Sequence, residues 1–273
     1  MDYILYKGDC KKILPKLESE SINEIITSPP YFKQREYGNI KGEIGTQGTQ
    51  EEYVIEITVI LKELYRILKH DGLFCFNIDN PIRTNGFLDL SSWDFVPILR
   101  NLGFKVICTI IWYDKTRIPI TSNKLLKHNY EPIFLLAKSK NYTFNKDKIR
   151  VPYSRDKYWG RRDWTPNPEG ADRGDVWDII HFRGNMSNKG DQYDRLGVAT
   201  FPVQLIDLLI KLGSNKADIL LDPFLGSGTT MDVARRLKRS CIGIEINPIY
   251  CKSIIKRCFK KDLTEHHIFK YIK

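Results

Sequence analysis

A short loop with one hydroxyl group and one aromatic ring follows the first strongly apolar stretch of this chain. Residues 22–26, Ile-Asn-Glu-Ile-Ile, predict a buried strand, and residues 27–31 then read Thr-Ser-Pro-Pro-Tyr. The two prolines fix the backbone and remove two N–H donors, so the loop is stiff and offers carbonyl acceptors. Such a loop suits binding a polar group at Ser28 and stacking a flat ring on Tyr31. Taken alone, it would equally suit a simple strand end.

A glycine-rich turn lies roughly two hundred residues later and also follows a predicted buried strand. Residues 218–221, Asp-Ile-Leu-Leu, lead into residues 222–230, Asp-Pro-Phe-Leu-Gly-Ser-Gly-Thr-Thr, and residues 231–238 predict a helix. Glycines let a ligand approach the backbone closely, and a helix amino terminus offers free N–H groups. No lysine follows the second glycine, which argues against a P-loop, and the spacing differs from the three-glycine dinucleotide fingerprint. An aspartate at the strand end favours a ligand with cationic or hydroxyl groups.

The next predicted strand, residues 240–244, ends in an acidic residue. Glu245 lies about twenty residues after the glycine turn, where a carboxylate typically accepts hydrogen bonds from ribose hydroxyls. A surface carboxylate at a strand end is the alternative. Asn247 and Pro248 then open the last long helix, which we expect to extend to about Lys261. The strand, turn and carboxylate together predict a nucleotide-type ligand.

These segments together resemble the amino-methyltransferases of DNA, the S-adenosylmethionine-dependent enzymes that methylate an exocyclic nitrogen of a base. Residues 28–31 look like their catalytic motif IV, and residues 222–230 look like their cofactor motif I. Motif III matches residues 6–10, motif X matches residues 200–205, and motif II matches residues 243–247. The catalytic loop precedes the cofactor loop, which is typical of the permuted group called β. The resemblance covers most of the chain and implies S-adenosylmethionine as cofactor and double-stranded DNA as partner.

The resemblance also implies roles for individual residues. The catalytic loop would consist of Ser28, Pro29, Pro30 and Tyr31. The cofactor site would combine Asp9, Cys10, Phe201, Pro202, Asp222, Pro223, Phe224, Gly226, Ser227, Gly228, Thr229, Thr230, Glu245 and Asn247. In that site the glycine turn surrounds the methionine end, Glu245 binds the ribose, and Asp9 binds the adenine amino group. No metal is implied.

The chemistry of such a reaction depends on hydrogen-bond acceptors. A base amino nitrogen is a poor nucleophile because its lone pair is delocalised into the ring. Acceptors at Ser28 and at the Pro29 carbonyl would hold its two hydrogens and stabilise the positive charge that develops during an in-line transfer. Tyr31 would stack on a base extruded from the duplex, with packing against a neighbouring helix as the alternative. Asp79 follows a neighbouring predicted strand, and it either bonds Ser28, accepts a proton or serves as an ordinary loop carboxylate.

The identity of the target base rests on the first residue of the catalytic loop. Serine at this position is typical of N4-cytosine enzymes in the family, whereas aspartate is typical of N6-adenine enzymes, so the resemblance favours N4-cytosine and leaves N6-adenine as the alternative. C5-cytosine chemistry needs a thiolate, and no Pro-Cys pair occurs here. Methyltransferases of RNA or protein, and a non-catalytic DNA-binding module, are the alternatives from other classes. A restriction endonuclease acting on the same site would be a natural partner, and the oligomeric state stays open.

Composition agrees with a DNA partner. The 273-residue chain has a net charge of +10 and no apolar run of membrane-spanning length, and its first residues do not predict a signal peptide. Its six cysteines form no CxxC pair, so we expect reduced core thiols in a cytoplasmic protein. Basic residues concentrate in 115–127 and 146–162, and we expect phosphate contacts near the site opening rather than merely solvated faces. The candidate DNA-binding residues are Lys115, Arg117, Lys148, Arg150, Arg161 and Arg162.

The order of predicted elements indicates an α/β protein. Alternating strands and helices predict a mostly parallel sheet covered on both faces, the Rossmann-like class I methyltransferase fold in permuted order. We expect an antiparallel pair from residues 105–113 and 132–137 and a kinked helix over 88–102. The glycine-rich residues 38–48 predict a lid over the site, with an ordinary surface loop as the alternative. The catalytic part would span residues 1–145 and the cofactor-binding part 198–273. Between them, residues 146–197 lack periodicity and match the family's target-recognition region by position, with an oligomerisation arm as the alternative.

Overall fold

The computed structural model describes residues 1–34, 40–117, 123–153, 166–180, 200–259 and 268–272. The strands are β1 Asp2–Lys7, β2 Ile22–Thr27, β3 Leu68–Asn77, β4 Ile82–Thr84, β5 Phe87–Leu90, β6 Lys105–Tyr113, β7 Tyr130–Ala137, β8 Val176–Asp178, β9 Ile219–Asp222, β10 Ser240–Glu245 and β11 Ile268–Ile272. The α-helices are α1 Cys10–Ile13, α2 Gln50–Ile67, α3 Phe95–Asn101, α4 Val203–Gly213, α5 Thr229–Arg236 and α6 Pro248–Phe259.

Nine of the described strands form one sheet in the order β11-β1-β10-β9-β2-β3-β7-β6-β8. Neighbours from β11 to β3 are parallel. Strand β7 runs antiparallel to both β3 and β6, which confirms the predicted antiparallel pair, and β8 is parallel to β6. The carboxyl ends of the parallel strands and the amino end of β7 therefore share one edge of the sheet.

Helices cover both faces of this sheet. On one face, α4, α5 and α6 bury side chains such as Leu209, Met231 and Ile254 in a continuous core. On the other face, α1, α2 and α3 pack around residues such as Ile57 and Leu99. This arrangement confirms the predicted fold class. No helix within the described ranges is long and apolar enough to cross a membrane.

The segment predicted as one kinked helix over residues 88–102 is different, and that prediction was wrong. Asn85 and Gly86 both have positive φ, at 53° and 87°, so they make a tight turn between β4 and β5. The helix α3 begins only at Phe95. Pro97 lies in its first turn, where a backbone N–H has no partner within the helix, so the proline causes no kink there.

The segment predicted to be irregular contains some regular structure. Residues 146–149 form a short 3₁₀ turn, and Val151 and Ala171 form an isolated antiparallel bridge. Strand β8 then adds an edge to the sheet, pairing Trp177 with Trp112. Residues 154–165 and 181–197 of the predicted target-recognition region lie outside the described ranges.

Helix α2 depends on a reciprocal cap at its amino terminus. Thr49 Oγ1 accepts a hydrogen bond from the Glu52 N–H, and the Glu52 carboxylate accepts one from the Thr49 N–H, both at 3.2 Å. We expect Thr49→Ala to lower the free energy of unfolding by about 1 kcal/mol, because the Glu52 N–H at the start of the helix loses its acceptor. Urea denaturation measures this difference.

The matched control is Thr58→Ala in the interior of the same helix. The Thr58 hydroxyl donates to the Val54 carbonyl, which already has a helical partner, and alanine has the better helix propensity. We expect a change within about 0.5 kcal/mol of zero. Equal losses in both variants would contradict the capping role.

Candidate active site

The serine loop and the glycine turn meet because their strands are neighbours. Strands β2 and β9 are parallel, with Glu24 opposite Leu220 and Ile25 opposite Leu221. The loops that follow them therefore leave the same edge of the sheet side by side. At that point the Thr27 hydroxyl donates to Asp222 Oδ1 at 3.0 Å. The two segments that the sequence singled out are thus joined directly.

Asp222 holds the glycine turn in place. Its carboxylate also accepts the Phe224 N–H at 3.1 Å and the Thr230 hydroxyl at 2.7 Å, and the residue is only 2% exposed. Burial raises the pKa of Asp222 to about 6, against the lowering effect of these hydrogen bonds. The aspartate thus uses its acceptors within the protein, and it shapes the turn rather than lining the cleft.

A cleft opens where the two loops meet. Its empty space is about 660 Å³ when the open solvent at its mouth is included. Its wall combines three residues after β1, two residues of the serine loop and three residues of the glycine-rich segment before α2. The other wall residues come from the glycine turn, from the end of β10 with the residue that follows it, and from α6. The complete wall consists of Gly8, Asp9, Cys10, Ser28, Pro30, Gly42, Glu43, Ile44, Pro223, Phe224, Gly226, Ile244, Glu245, Ile246 and Tyr250.

Glu245 lies at the end of β10 with both carboxylate oxygens held. Oε2 accepts the Gly226 N–H at 2.8 Å, and Oε1 accepts the Asn247 N–H at 2.7 Å. Burial raises the pKa of Glu245 to about 7. Gly226 and Gly228 adopt φ values of 53° and 85°, a backbone conformation that favours glycine. A buried carboxylate beside a glycine turn is well suited to accept hydrogen bonds from ligand hydroxyls.

Asp9 forms the far wall of the same cleft. Its carboxylate caps α1 by accepting the Lys11 N–H at 2.9 Å. Gly42 packs so closely that a Cβ there would lie 3.1 Å from Asp9 Oδ2, and its φ of 95° also favours glycine. The described part of the predicted lid, residues 40–48, therefore forms part of the cleft wall through Gly42, Glu43 and Ile44.

Several residues assigned to the cofactor site from the sequence do not line the cleft. Ser227 and Thr229 face Arg257 of α6, which donates to the Ser227 carbonyl at 3.3 Å and to Thr229 Oγ1 at 3.2 Å. Phe201 packs near Trp112, with ring centroids 6.3 Å apart, and Pro202 precedes α4 as its N-cap. The remaining such residues, Gly228, Thr230 and Asn247, shape the turn and the start of α6.

Ser28 begins a hydrogen-bond network that the sequence did not reveal. Its hydroxyl donates to the Tyr31 oxygen at 3.0 Å. The Tyr31 hydroxyl lies 2.9 Å from Glu131 Oε2 and 3.1 Å from Asn77 Oδ1. Burial, followed by the Glu131 charge, raises the pKa of Tyr31 well above its usual value. The tyrosine is thus held by its hydroxyl as well as by its ring.

The neighbouring prolines are fixed in different ways. Pro29 is buried, whereas Pro30 reaches the cleft and its carbonyl accepts the Tyr53 hydroxyl at 3.1 Å. Tyr53 in turn accepts an N–H of Asn80 at 3.0 Å. The stiff loop predicted from the sequence is therefore also anchored by α2.

Asp79 and Arg117 form an ion pair with each other. Asp79 Oδ2 pairs with Arg117 at 3.2 Å and Oδ1 contacts His128 Nε2 at 2.9 Å, so its described partners do not include Ser28. Arg117 also pairs with Glu131, and its side chain is only 20% exposed. Arg117, a candidate phosphate contact, is therefore a support of the serine loop.

Glu131 is a residue of the site that sequence reasoning did not single out. It occupies the start of the apolar strand β7 and is 7% exposed. A charged residue in a buried strand is costly unless it is paired, and that cost was the available signal. The antiparallel direction of β7 brings its amino end to the site edge.

The remaining basic candidates lie at opposite edges of the sheet. Lys115 follows β6 at the site edge and pairs with Asp178 at 3.3 Å. Lys148 donates to Asn215, before the amino end of β9, so the structure does not bring it to the site opening. Arg150 pairs with Asp147 in the same 3₁₀ segment as Lys148. Arg161 and Arg162 lie outside the described residues.

Known proteins resemble this chain over nearly its whole length. It is 28% identical to the type II methyltransferase M.SmaI of Serratia marcescens, over 93% of this chain and 90% of that protein. It is 31% identical to the DNA adenine methyltransferase YhdJ of Escherichia coli K12, over 95% of this chain and 83% of that protein.

Solved structures share the fold. TTHA0409 of Thermus thermophilus, solved in complex with S-adenosylmethionine, superimposes with a TM-score of 0.66 at 22% identity, covering 98% of each chain. The PvuII DNA methyltransferase, described as cytosine-N4-specific, gives a TM-score of 0.69 at 22% identity, covering 96% of this chain and 90% of that one.

A family model described as DNA methylase matches residues 22–257, which include the serine loop, the glycine turn and Glu245. The match starts at β2 and ends in α6, so it includes the cleft residues from Ser28 to Tyr250 but not those of residues 8–10. This chain therefore belongs to the DNA methylase family.

Proposed function

We propose that this DNA methylase transfers a methyl group from S-adenosylmethionine to the N4 amino group of a cytosine that is flipped out of a short duplex sequence. The observation that carries this proposal is the shared cleft: Ser28 and Pro30 line the same cavity as Gly226 and Glu245. A group held by the serine loop and a donor held by the glycine turn would thus meet without any rearrangement of the sheet. The name of M.SmaI further supports a role as the modification enzyme of a restriction-modification system.

The residues of the cleft fit S-adenosylmethionine. Glu245 offers a buried carboxylate to the ribose hydroxyls, and Asp9 offers one to the adenine amino group on the far wall. Bound there, the cofactor supplies a methyl group on a positively charged sulfur, which is a strong electrophile. The described contacts of Asp222 and Glu245 are with neutral N–H and O–H donors, so their negative charge is available to a cationic ligand.

Ser28 prepares the amino group for attack. Its hydroxyl proton points to Tyr31, so the lone pairs of its oxygen are left to accept an N–H of the base. An acceptor in place before the reaction stabilises the positive charge that develops on nitrogen, and it needs no reorganisation at that moment. The Pro29 carbonyl is our candidate for the second acceptor, and the Tyr31 ring is our candidate for stacking on the flipped base.

The choice of cytosine over adenine rests on Ser28. Both bases carry an exocyclic amino group that a hydroxyl oxygen can bind, so the site chemistry suits either. The serine at the first loop position favours cytosine by family resemblance. PvuII methyltransferase is described as cytosine-N4-specific, and YhdJ is described as an adenine enzyme, so we keep N6-adenine as the alternative.

Replacement of the serine tests the function directly. We expect Ser28→Ala to slow single-turnover methyl transfer to duplex DNA by about 100-fold, because the transition state loses one acceptor, with an unchanged Kd for the cofactor. Mass spectrometry of the nucleosides measures the product, which we expect to be N4-methylcytosine.

The control Ser21→Ala removes a hydroxyl that bonds the Glu18 carbonyl before β2, and it should keep the wild-type rate. N6-methyladenine as the product would overturn the choice of base, and an unchanged Ser28→Ala rate would remove Ser28 from the mechanism.

Cofactor affinity should depend on pH through Glu245. Ionised Glu245 is the better acceptor for ribose hydroxyls, and burial raises its pKa to about 7. The fraction ionised falls as pH falls, so we expect the Kd for S-adenosylmethionine to rise by up to about tenfold per unit below pH 7 and to level off above it. Calorimetry between pH 5.5 and 8.5 measures this dependence.

The variant Glu245→Gln isolates that contribution. This variant should bind S-adenosylmethionine more weakly, and its Kd should no longer change with pH near pH 7. A dependence near pH 6 should remain, because burial raises the pKa of Asp222 to about 6. A wild-type Kd that is equal at pH 6 and pH 8 would contradict the proposed contact.

The two edges of the sheet give a matched test of the DNA surface. Lys115 lies at the site edge and Lys148 at the opposite edge. We expect Lys115→Ala to weaken duplex binding and to reduce the slope of log affinity against log salt by about 0.9, the value for one phosphate contact. Lys148→Ala should change neither quantity. Equal effects of the two variants, measured by fluorescence anisotropy in graded salt, would contradict this orientation of the DNA.

A further inference from the structure

Ser28, Tyr31 and Glu131 form a chain of hydrogen bonds, and the carboxylate of Glu131 at its end determines which group donates in each bond. A carboxylate can only accept, so the single proton of the Tyr31 hydroxyl points to Glu131 Oε2 at 2.9 Å or is shared with Asn77 Oδ1 at 3.1 Å. The Asn77 amide N–H₂ is used on the Pro132 carbonyl, so its oxygen faces Tyr31. In either case the Tyr31 oxygen accepts the proton of Ser28.

We propose that Glu131 is the terminal acceptor of a relay, Ser28 to Tyr31 to Glu131, which orients Ser28 toward the substrate amino group and takes up the proton released by methyl transfer. This inference rests on the proposed function and adds to it the route of that proton. Glu131 does not touch the substrate in this scheme. It is a positioning residue that acts through the two hydroxyls.

The step balances in atoms and charge. The bond between methyl and sulfur breaks as the bond between methyl and the amino nitrogen forms, which leaves the nitrogen positively charged. That nitrogen gives one proton to Ser28 Oγ, Ser28 gives its proton to Tyr31, and Tyr31 gives its proton to Glu131. One positive charge on sulfur and one negative charge on Glu131 are lost together, and Glu131 later releases the proton to water.

The surroundings of Glu131 suit both the ionised and the protonated form of its carboxylate. Arg117 pairs with it and with Asp79, which keeps the carboxylate ionised before the reaction. Burial, the largest effect, raises the pKa of Glu131 against that pairing, and the Asp79 charge raises it further, so the residue can also hold a proton. Tyr31 and Asn77 face it from the serine loop and β3, and His128 contacts the other oxygen of Asp79.

Single-turnover methyl transfer from pH 5.5 to 9, at saturating cofactor, tests the relay. Saturation removes the contribution of Glu245 to the profile. We expect the wild-type rate to fall at low pH as Glu131 becomes protonated. Glu131→Gln should slow transfer by about 100-fold and should lose this fall of the rate at low pH, the acid limb of the profile. The reason is that the amide still accepts the hydrogen bond from Tyr31 but takes up no proton. The Kd for the cofactor should be unchanged. Glu131→Asp should restore part of the rate and the acid limb.

Two further variants separate the relay from a structural role. Tyr31→Phe keeps the ring and the ion pair between Arg117 and Glu131, but it removes the hydroxyl that links Ser28 to Glu131. We expect slow methyl transfer in this variant and no fall of its rate at low pH. The double variant Tyr31→Phe/Glu131→Gln should be no slower than either single variant. Glu63→Gln is the matched control. Glu63 pairs with Arg66 on α2, at 2.8 Å, and its loss should leave the profile unchanged.

The outcomes are distinct. A wild-type dependence of rate on pH in Glu131→Gln would overturn the relay. A double variant whose loss of rate equals the product of the two single losses would overturn it as well. If Glu131→Gln fails to fold, Tyr31→Phe decides alone, and an intact acid limb in that variant overturns the relay. Wild-type protein that puts no methyl group into DNA would instead refute the proposed function.

Discussion

The hydrogen bond between Thr27 and Asp222 is the constraint on which the site depends. It joins the ends of two neighbouring parallel strands whose residues are separated by 195 positions in the chain. The buried carboxylate accepts three donors, and each lost donor would leave a charged group unsatisfied in the core. The serine loop and the glycine turn are therefore held to each other before any ligand binds. A site assembled in this way does not need binding energy to bring its two halves together.

The antiparallel strand β7 brings the carboxylate of Glu131 to the site. In a parallel sheet only carboxyl ends reach the ligand edge, so polar residues come from the loops that follow the strands. Because β7 runs the other way, its first residues reach that edge, and Glu131 extends from a rigid strand rather than from a loop. Its position beside Tyr31 is therefore fixed by the backbone pairing of the sheet core, which suits a residue that must hold two hydroxyls in line.

The sequence predicted the convergence of the two loops, the cleft and the mostly parallel sheet, because strand ends and turns depend on residues that are close together in the chain. It did not predict side-chain partners. Arg117 was interpreted as one member of a basic cluster, although it pairs with two carboxylates of the site. Asp79 was considered as a partner of Ser28, and Glu131 was passed over inside an apolar run. The helix predicted over 88–102 was wrong because a tight turn at residues 85–86 outweighed its helical pattern. The pairs of Arg117, Asp79 and Glu131 depend on contacts between distant segments, whereas the turn at residues 85–86 is local.

The two halves of the cleft differ in how their charges are balanced. On the serine side, Arg117 lies between Asp79 and Glu131, so the two carboxylates share a cation and the local charge is small, as suits a neutral base. On the glycine side, Asp222 and Glu245 are held by neutral donors, and burial raises the pKa of both. When they are ionised, their negative charge favours a cationic ligand such as a sulfonium. Methyl transfer converts that cation into a neutral thioether, so the same carboxylates attract the product less than the donor. The electrostatics that favour cofactor binding thus also favour release after a single transfer.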